Sequence, residues 1–230
     1  MYQIYVGQEK NPLTVGFHLY YHCDKIDVSE ILRKVVNKMI KLVVGGARSG
    51  KSSFAEKQFN NKYDVVYIAT ARVEDDEMKD RVVHHRESRP DRWRTFEGNY
   101  NLADAVGDEE HYLLDCLTVL TSNIMFDMTY KAKRTVPDAS DAFEEDDKIS
   151  SELQKEVEDR IFKEVLQLIE KVEEKGYTLI MVTNEVGYSL VPEHHIGRVF
   201  RDIQGRLNQR VAERSDEVYL VSCGIPVRLK

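Results

Sequence analysis

The chain has 230 residues, 42% hydrophobic and 32% charged, with a formal net charge of −7. That length and mix fit one α/β domain with a full core plus a short extension, and exclude wholesale disorder. An acidic chain without a basic block argues against general nucleic-acid binding and leaves room only for a local basic cleft; three scattered cysteines, Cys23, Cys116 and Cys223, imply neither a disulfide framework nor a zinc cluster and fit a reducing cytoplasm. No apolar run approaches the roughly 18 residues of a membrane helix, and no basic-then-apolar leader opens the chain.

Residues 1–38 read as a segment apart, crowded with Tyr and His at Phe17–His22, with Asp27-Val28-Ser29-Glu30 opening a short helix to Lys38. From Met39 the pattern changes. Short apolar, β-branched runs at Ile40–Val44, Val65–Ala69, Tyr112–Cys116, Thr178–Thr183 and Val218–Ser222 read as strands. Helical patterns separate them. Ile149, Leu153, Val157, Ile161, Val165, Leu168 and Val172 share one helix face, with Gly176 as its C-cap; Val199, Ile203, Leu207 and Val211 form a second stripe. Strands alternating with helices predict an α/β fold: a P-loop, RecA-like, mainly parallel sheet with helices on both faces, over 39–230. Residues 130–150, with Asp138, Asp141, Glu144, Glu145, Asp146 and Asp147, read as a mobile, solvated acidic insertion rather than a metal site.

The strand Ile40–Val44 runs directly into Gly45-Gly46-Ala47-Arg48-Ser49-Gly50-Lys51-Ser52, the full P-loop pattern, with a helix predicted over Ser53–Phe59. Its glycines let successive N–H groups surround phosphate oxygens, and the helix N-terminus adds its positive end. Lys51 is positioned for the β/γ-phosphates and the Ser52 hydroxyl for Mg²⁺. Asp115, ending an apolar strand, is the candidate partner acid for that metal; its alternative role is a cap for the next helix. The loop alone does not choose between kinase, switch GTPase and mechanical ATPase. A guanine-reading Asn-Lys-x-Asp segment, which a switch would need, does not occur at Thr183-Asn184-Glu185.

Between the second and third strands, Glu74–Pro90 predicts a helix from about Asp76 to Glu87, acidic at its start and ended by Pro90. It carries His84 and His85, which cannot share one face, and Arg81, Arg86 and Arg89, which could neutralise a triphosphate. Taken alone, the pair reads as one exposed and one half-buried imidazole. Neutral imidazole is nonetheless a competent nucleophile near pH 7.

The ordered set Gly45–Ser52, Tyr67–Thr70, Asp75–Met78, His84-His85, Arg89-Pro90, Trp93–Thr95, Val182–Gly187, Val191-Pro192, Phe200–Asp202 and Gly205-Arg-x-Asn-Gln209 resembles the bifunctional adenosylcobinamide kinase / adenosylcobinamide-phosphate guanylyltransferase family, from Met39 to the C-terminus. The resemblance implies two reactions of cobalamin biosynthesis. ATP or GTP phosphorylates the aminopropanol hydroxyl of adenosylcobinamide; GMP then passes from GTP, through a histidine–GMP intermediate, to the cobinamide phosphate, giving adenosylcobinamide-GDP. By position it makes His84 the nucleophile, with Lys51 as the second catalytic residue. It places Gly45, Gly46, Ala47, Arg48, Ser49, Gly50, Lys51 and Ser52, then Thr70, Ala71 and Arg72, then Glu87, Ser88, Arg89 and Pro90, and finally Glu97 and Asp115, around the nucleotide, with Mg²⁺ on Ser52 and Asp115. It also implies a cytoplasmic homotrimer. A single-activity small-molecule kinase, with His84 structural, is the alternative. Asn184–Gly187 falls at the site edge without an assigned role. Arg198, Arg201, Arg206 and Arg210 read equally as a solvated, subunit-contact or anion-binding face. Residues 1–38 have no counterpart in the family pattern, which makes Met39 an alternative start, and 130–150 is longer than that pattern.

Overall fold

The computed structural model describes residues 39–59, 62, 64–72, 90, 92–134 and 148–230, and the backbone of three strands before them; side chains of 132–134 are outside the description. Those strands, β1 (Val6–Gly7), β2 (His18–Tyr21) and β3 (Asp24–Asp27), form a small antiparallel sheet in sequence order. Asp27 therefore closes a strand rather than opening a helix, and the rest of that predicted helix lies outside the described residues.

The main body is a seven-stranded sheet. Its strands are β4 (Met39–Gly45), β5 (Val65–Ala69), β6 (Arg94–Glu97), β7 (His111–Asp115), β8 (Thr178–Asn184), β9 (Glu217–Ser222) and β10 (Ile225–Arg228). Their spatial order is β10-β9-β4-β8-β7-β5-β6, parallel throughout except for β10 against β9. This is the RecA-like arrangement the alternation predicts: β8 lies between the phosphate-loop strand β4 and the Asp115 strand β7.

Period-two alternation along each strand sorts the core into two layers. Leu42, Val44, Val66, Ile68, Tyr112, Leu114, Leu179 and Met181 face α2 (Leu117–Arg134), α3 (Ser151–Lys175) and α4 (His195–Arg214). Val43, Val65, Tyr67, Leu113, Ile180 and Val182 face the other way, toward Ala55 of α1 (Lys51–Lys57), Phe59 and Trp93. Strands buried on both sides read as continuous apolar runs, which is why they were legible.

Both helical stripes occupy the core. On α3, Val157, Ile161, Val165, Leu168 and Val172 are fully buried; on α4, Val199, Ile203, Leu207 and Val211 are. Ser150 caps α3, its Oγ accepting from Leu153 N at 3.2 Å, and the helix closes with Gly176 N donating to Glu173 O at 3.1 Å.

Among the strands and α-helices of the main body, three lie outside the sequence reading. The edge strand β6 exposes Arg94, Thr95 and Glu97, so it lacks an apolar run. The edge strand β10 contains Pro226 and is exposed at every position. It folds back on β9 through Cys223 (φ 52°) and Gly224 (φ 78°), a two-residue turn with both residues left-handed. The helix α2 also extends to Arg134, so it takes the first residues of the stretch read as an insertion. Residues 135–147, with the acidic run, lie outside the described residues.

Of the four arginines read as one face, Arg206 and Arg210 are committed to α3, joined by Arg214, while Arg198 donates to Pro192 O and Arg201 lies 3.9 Å from Asp202. Arg206 pairs with Glu158 at 2.7 Å and Arg214 with Glu173 at 2.8 Å, while Arg210 stacks on the Phe162 ring at 3.4 Å. That face is a helix–helix contact more than an anion site.

Candidate functional site

Parallel register brings the predicted residues to one edge. Gly45 pairs with Asn184 and Val221, Asp115 with Val182 and Ala69, and Ala69 with Glu97. The carboxyl ends of β4, β8, β7, β5 and β6 are therefore level, and open α/β sheets bind ligands beyond that edge.

The phosphate loop is built around two glycines. At Gly50 the backbone φ is 91°, in the left-handed region that glycine adopts without strain, and Gly224 packs against it. At Gly45 a Cβ would collide with Ser49 Oγ and the Val221 carbonyl. The β9–β10 turn buttresses the loop, with Gly224 N donating to Ser49 O at 2.8 Å. This support, absent from the sequence reading, comes from a Cys-Gly turn that carries no Asn-Gly or Asp-Gly signal. Gly46, Ala47 and Arg48 are exposed, and Ser49, Gly50, Lys51 and Ser52 half-buried. Ser49 Oγ is buried with no hydrogen-bond partner among the described residues. A hydroxyl left over inside an anion loop fits a phosphate oxygen. Lys51 Nζ donates to Gly46 O at 3.2 Å, folded over the loop.

Asp115 ends β7 and accepts from Tyr67 Oη at 3.2 Å through Oδ2. The following thiol, Cys116, is pushed up to about 11, first by burial and then by the Asp115 charge, with Lys51 acting in the opposite sense. Lys51 and Asp115 thus both act on one side chain, across β8. Ser52 on the first turn of α1 and Asp115 at this edge supply a hydroxyl and a carboxylate, hard oxygen donors of the kind magnesium takes.

Thr70, predicted as a nucleotide contact, lies just past the end of β5 with its hydroxyl engaged inside the protein. It is fully buried; its Oγ1 donates to Cys116 O and accepts from Cys116 N, both at 2.9 Å. Asn123 Nδ2 donates to Thr70 O at 2.8 Å and to Asn99 Oδ1 at 3.0 Å. The hydroxyl is thus spent on locking the ends of β5 and β7 together. Ala71 is half-buried, and Arg72 forms a bidentate pair with Asp127 at 2.7 and 2.5 Å. That pairing holds the Asp127 carboxyl below its usual range, helped by Tyr100 Oη donating at 2.9 Å. Burial, then Asp127, pushes the Tyr100 hydroxyl up to about 12. Asn123 and Asp127, four apart on α2, share the face toward this corner; α2 was not legible, so neither were they.

Glu97 is exposed at the end of β6. Pro90 is half-buried and its carbonyl accepts from Trp93 N at 3.0 Å, leading the chain into β6. His84, Glu87, Ser88 and Arg89, with the predicted helix that carries them, lie outside the described residues.

The end of β8 is held by a polar network. Asn208 Oδ1 on α4 accepts from Thr183 Oγ1 and Gln204 Nε2, both at 2.8 Å, while its Nδ2 donates to Asn184 O at 3.1 Å. Asn184 N donates to Thr118 Oγ1 at 2.7 Å, and the next residue, Glu185, donates its N–H to Gly45 O at 3.1 Å. The Gly205–Gln209 motif thus supports the phosphate loop from behind. Asn208→Ala is expected to cost about 1–3 kcal/mol, because it removes three hydrogen bonds, two of them to the fully buried Thr183 and Gln204. Urea denaturation reads this cost. Asn208→Asp gives no recovery, since a carboxylate cannot donate to Asn184 O.

A family model described as cobinamide kinase / cobinamide phosphate guanyltransferase matches residues 41–229. The bifunctional adenosylcobalamin biosynthesis protein CobU of Escherichia coli (strain K12) is 39% identical over 196 residues, covering 84% of this chain and 100% of that protein. The protein of the same name from Salmonella typhimurium (strain LT2) is 39% identical over 197 residues, with the same coverage. The bifunctional adenosylcobalamin biosynthesis protein CobP of Pseudomonas aeruginosa (strain PAO1) is 33% identical over 197 residues, covering 84% and 98%. With a complete phosphate loop seated at the sheet edge along which Asn184, Asp115 and Glu97 also lie, and with a match running from β4 almost to the last residue, this chain belongs to the cobinamide kinase / cobinamide phosphate guanyltransferase family.

Proposed function

We propose that this chain carries out both reactions for which its family is described, phosphorylation of cobinamide and guanylyl transfer to cobinamide phosphate. The observation that carries the reading is the buttressed phosphate loop at the sheet edge, within a family match spanning nearly the whole main body.

In the first reaction the aminopropanol hydroxyl of adenosylcobinamide attacks the γ-phosphate of ATP or GTP. The hydroxyl gives up its proton, the new O–P bond forms, and the nucleoside diphosphate leaves. The loop N–H groups and Lys51 stabilise the charge on the transferring group. In the second, an imidazole nitrogen of His84 attacks the α-phosphate of GTP; a P–N bond forms and pyrophosphate departs. A phosphate oxygen of the acceptor then displaces the imidazole, giving adenosylcobinamide-GDP and restoring His84. One difficult transfer becomes two easier ones. Ser52 and Asp115 would hold Mg²⁺, which when bound neutralises phosphate charge. Glu87, Ser88, Arg89 and Pro90 contribute to the nucleotide site from the segment after His84. The assembly we propose is a cytoplasmic homotrimer; among the described residues no helix is long and apolar enough to cross a membrane.

Incubation with Mg²⁺, α-labelled GTP and adenosylcobinamide, followed by product analysis, tests the reading. Adenosylcobinamide-GDP carrying the label is expected. Phosphorylated acceptor with no guanylylated product would reduce the chain to a kinase.

A further inference from the structure

Beyond Glu185 the chain leaves the sheet edge and presents three large apolar side chains to solvent: Tyr188 is 86% exposed, Leu190 92% and Val191 65%. Singly exposed apolar residues are ordinary; three within four positions, on the segment that follows the residue bonded to Gly45 O, call for an occupant. The loop that bears them is tied down at both ends. Glu185 N donates to Gly45 O at 3.1 Å, Gly187 N to Glu185 Oε1 at 2.6 Å and Ser189 Oγ to Val186 O at 3.2 Å. At the far end Arg198 of α4 donates to Pro192 O at 3.0 Å and to Glu193 O. A surface held in place before its partner arrives loses little entropy on binding.

We propose that Tyr188, Leu190 and Val191 form the seat of the acceptor macrocycle, taking the apolar face of the corrin ring while its hydroxyl-bearing arm extends to the phosphate loop. The inference rests on the function proposed above and adds where the acceptor's bulk is held. Continuity supports it, because the loop leaves from the residue bonded to Gly45, and the acceptor hydroxyl must meet phosphate at that edge. Side-chain chemistry supports it too: one aromatic ring and two branched aliphatic side chains, each mostly exposed, offer apolar contact area to a large apolar ligand face. Edge strand β10, with Ile225 and Val227 exposed and no strand on its outer side among the described residues, is an alternative surface for a second copy of the chain.

The test compares the wild-type chain with a Tyr188→Ser/Leu190→Ser variant and a conservative Tyr188→Phe/Leu190→Met variant. It measures the KM for adenosylcobinamide in phosphorylation, corrinoid binding by equilibrium dialysis, and molar mass by light scattering. The serine variant is expected to raise KM and weaken corrinoid binding at least tenfold, with the mass unchanged; the conservative variant is expected to stay within threefold of wild type. The proposal is overturned if the serine variant binds corrinoid within twofold of wild type. It is equally overturned if its molar mass falls, which would make the patch a subunit contact. Wild-type protein that neither phosphorylates the acceptor nor takes label from GTP sinks the underlying function instead, so the two failures are distinguishable.

Discussion

His84→Ala is expected to abolish the covalent label that α-labelled GTP leaves on the chain and to lower guanylyl transfer by at least about 10⁴-fold, as loss of a nucleophile does elsewhere. The proposed P–N bond belongs to the guanylyl step alone, so the effect falls on one reaction. Phosphorylation of adenosylcobinamide, which uses the γ-phosphate and the loop, continues. The wild-type label should be lost in acid and survive base, as a phosphorus–nitrogen bond does. His85→Ala is the control. On the helix predicted over residues 76–87, neighbouring side chains point about 100° apart, so His85 faces elsewhere and its variant keeps the label. If the His84 variant still takes label while the His85 variant does not, the nucleophile has been assigned to the wrong ring.

Lys51→Ala is expected to slow phosphoryl transfer by about 10²–10³-fold, the usual consequence of removing one preorganised donor from a developing oxyanion. The reason lies in how the lysine is held. Its Nζ is folded over the loop onto Gly46 O at 3.2 Å, and no acid pairs with it among the described residues. Its full charge is therefore kept for the nucleotide. Lys51→Arg is not expected to restore the rate, because a planar fork does not replace a compact ammonium inside a closed loop. Guanylyl transfer should fall as well under the proposal that one loop holds the triphosphate in both reactions. Single-turnover measurements with γ- and α-labelled GTP separate the two effects. A Lys51→Ala variant that phosphorylates at the wild-type rate would remove Lys51 from the mechanism.

The five principal strands, the two amphipathic helices and the phosphate loop were legible because each depends on local rules. A strand buried on both faces must be apolar at every position, as in Leu42–Val44 and Leu179–Val182. A helix against a sheet must repeat its apolar residues every three or four positions, as Val157, Ile161, Val165 and Leu168 do. A loop that closes around phosphate must have glycine where a Cβ would collide, as at Gly45, or where the backbone is left-handed, as at Gly50. The spacing of those residues carries the chemistry, and no distant contact is needed to recognise it.

The tertiary structure decided what depends on residues far apart in the chain. The strands β6 and β10 exist because an edge needs only one neighbour and tolerates polar side chains or a proline, so neither shows the apolar pattern of a central strand. The helix α2 mixes β-branched and polar residues because one face meets the core while Asn123 and Asp127 hold Thr70 and Arg72 at the site. Thr70 stands at the nucleotide edge by sequence, yet only the pairing of β5 with β7 commits its hydroxyl to Cys116. The Asn208 motif, read without a role, becomes the support of the phosphate loop once α4 packs behind β8. Local composition determined which segments could fold and bind phosphate. Long-range packing determined which polar atoms stayed available for a ligand, because a hydrogen bond made between distant elements removes a donor or acceptor that composition alone leaves free.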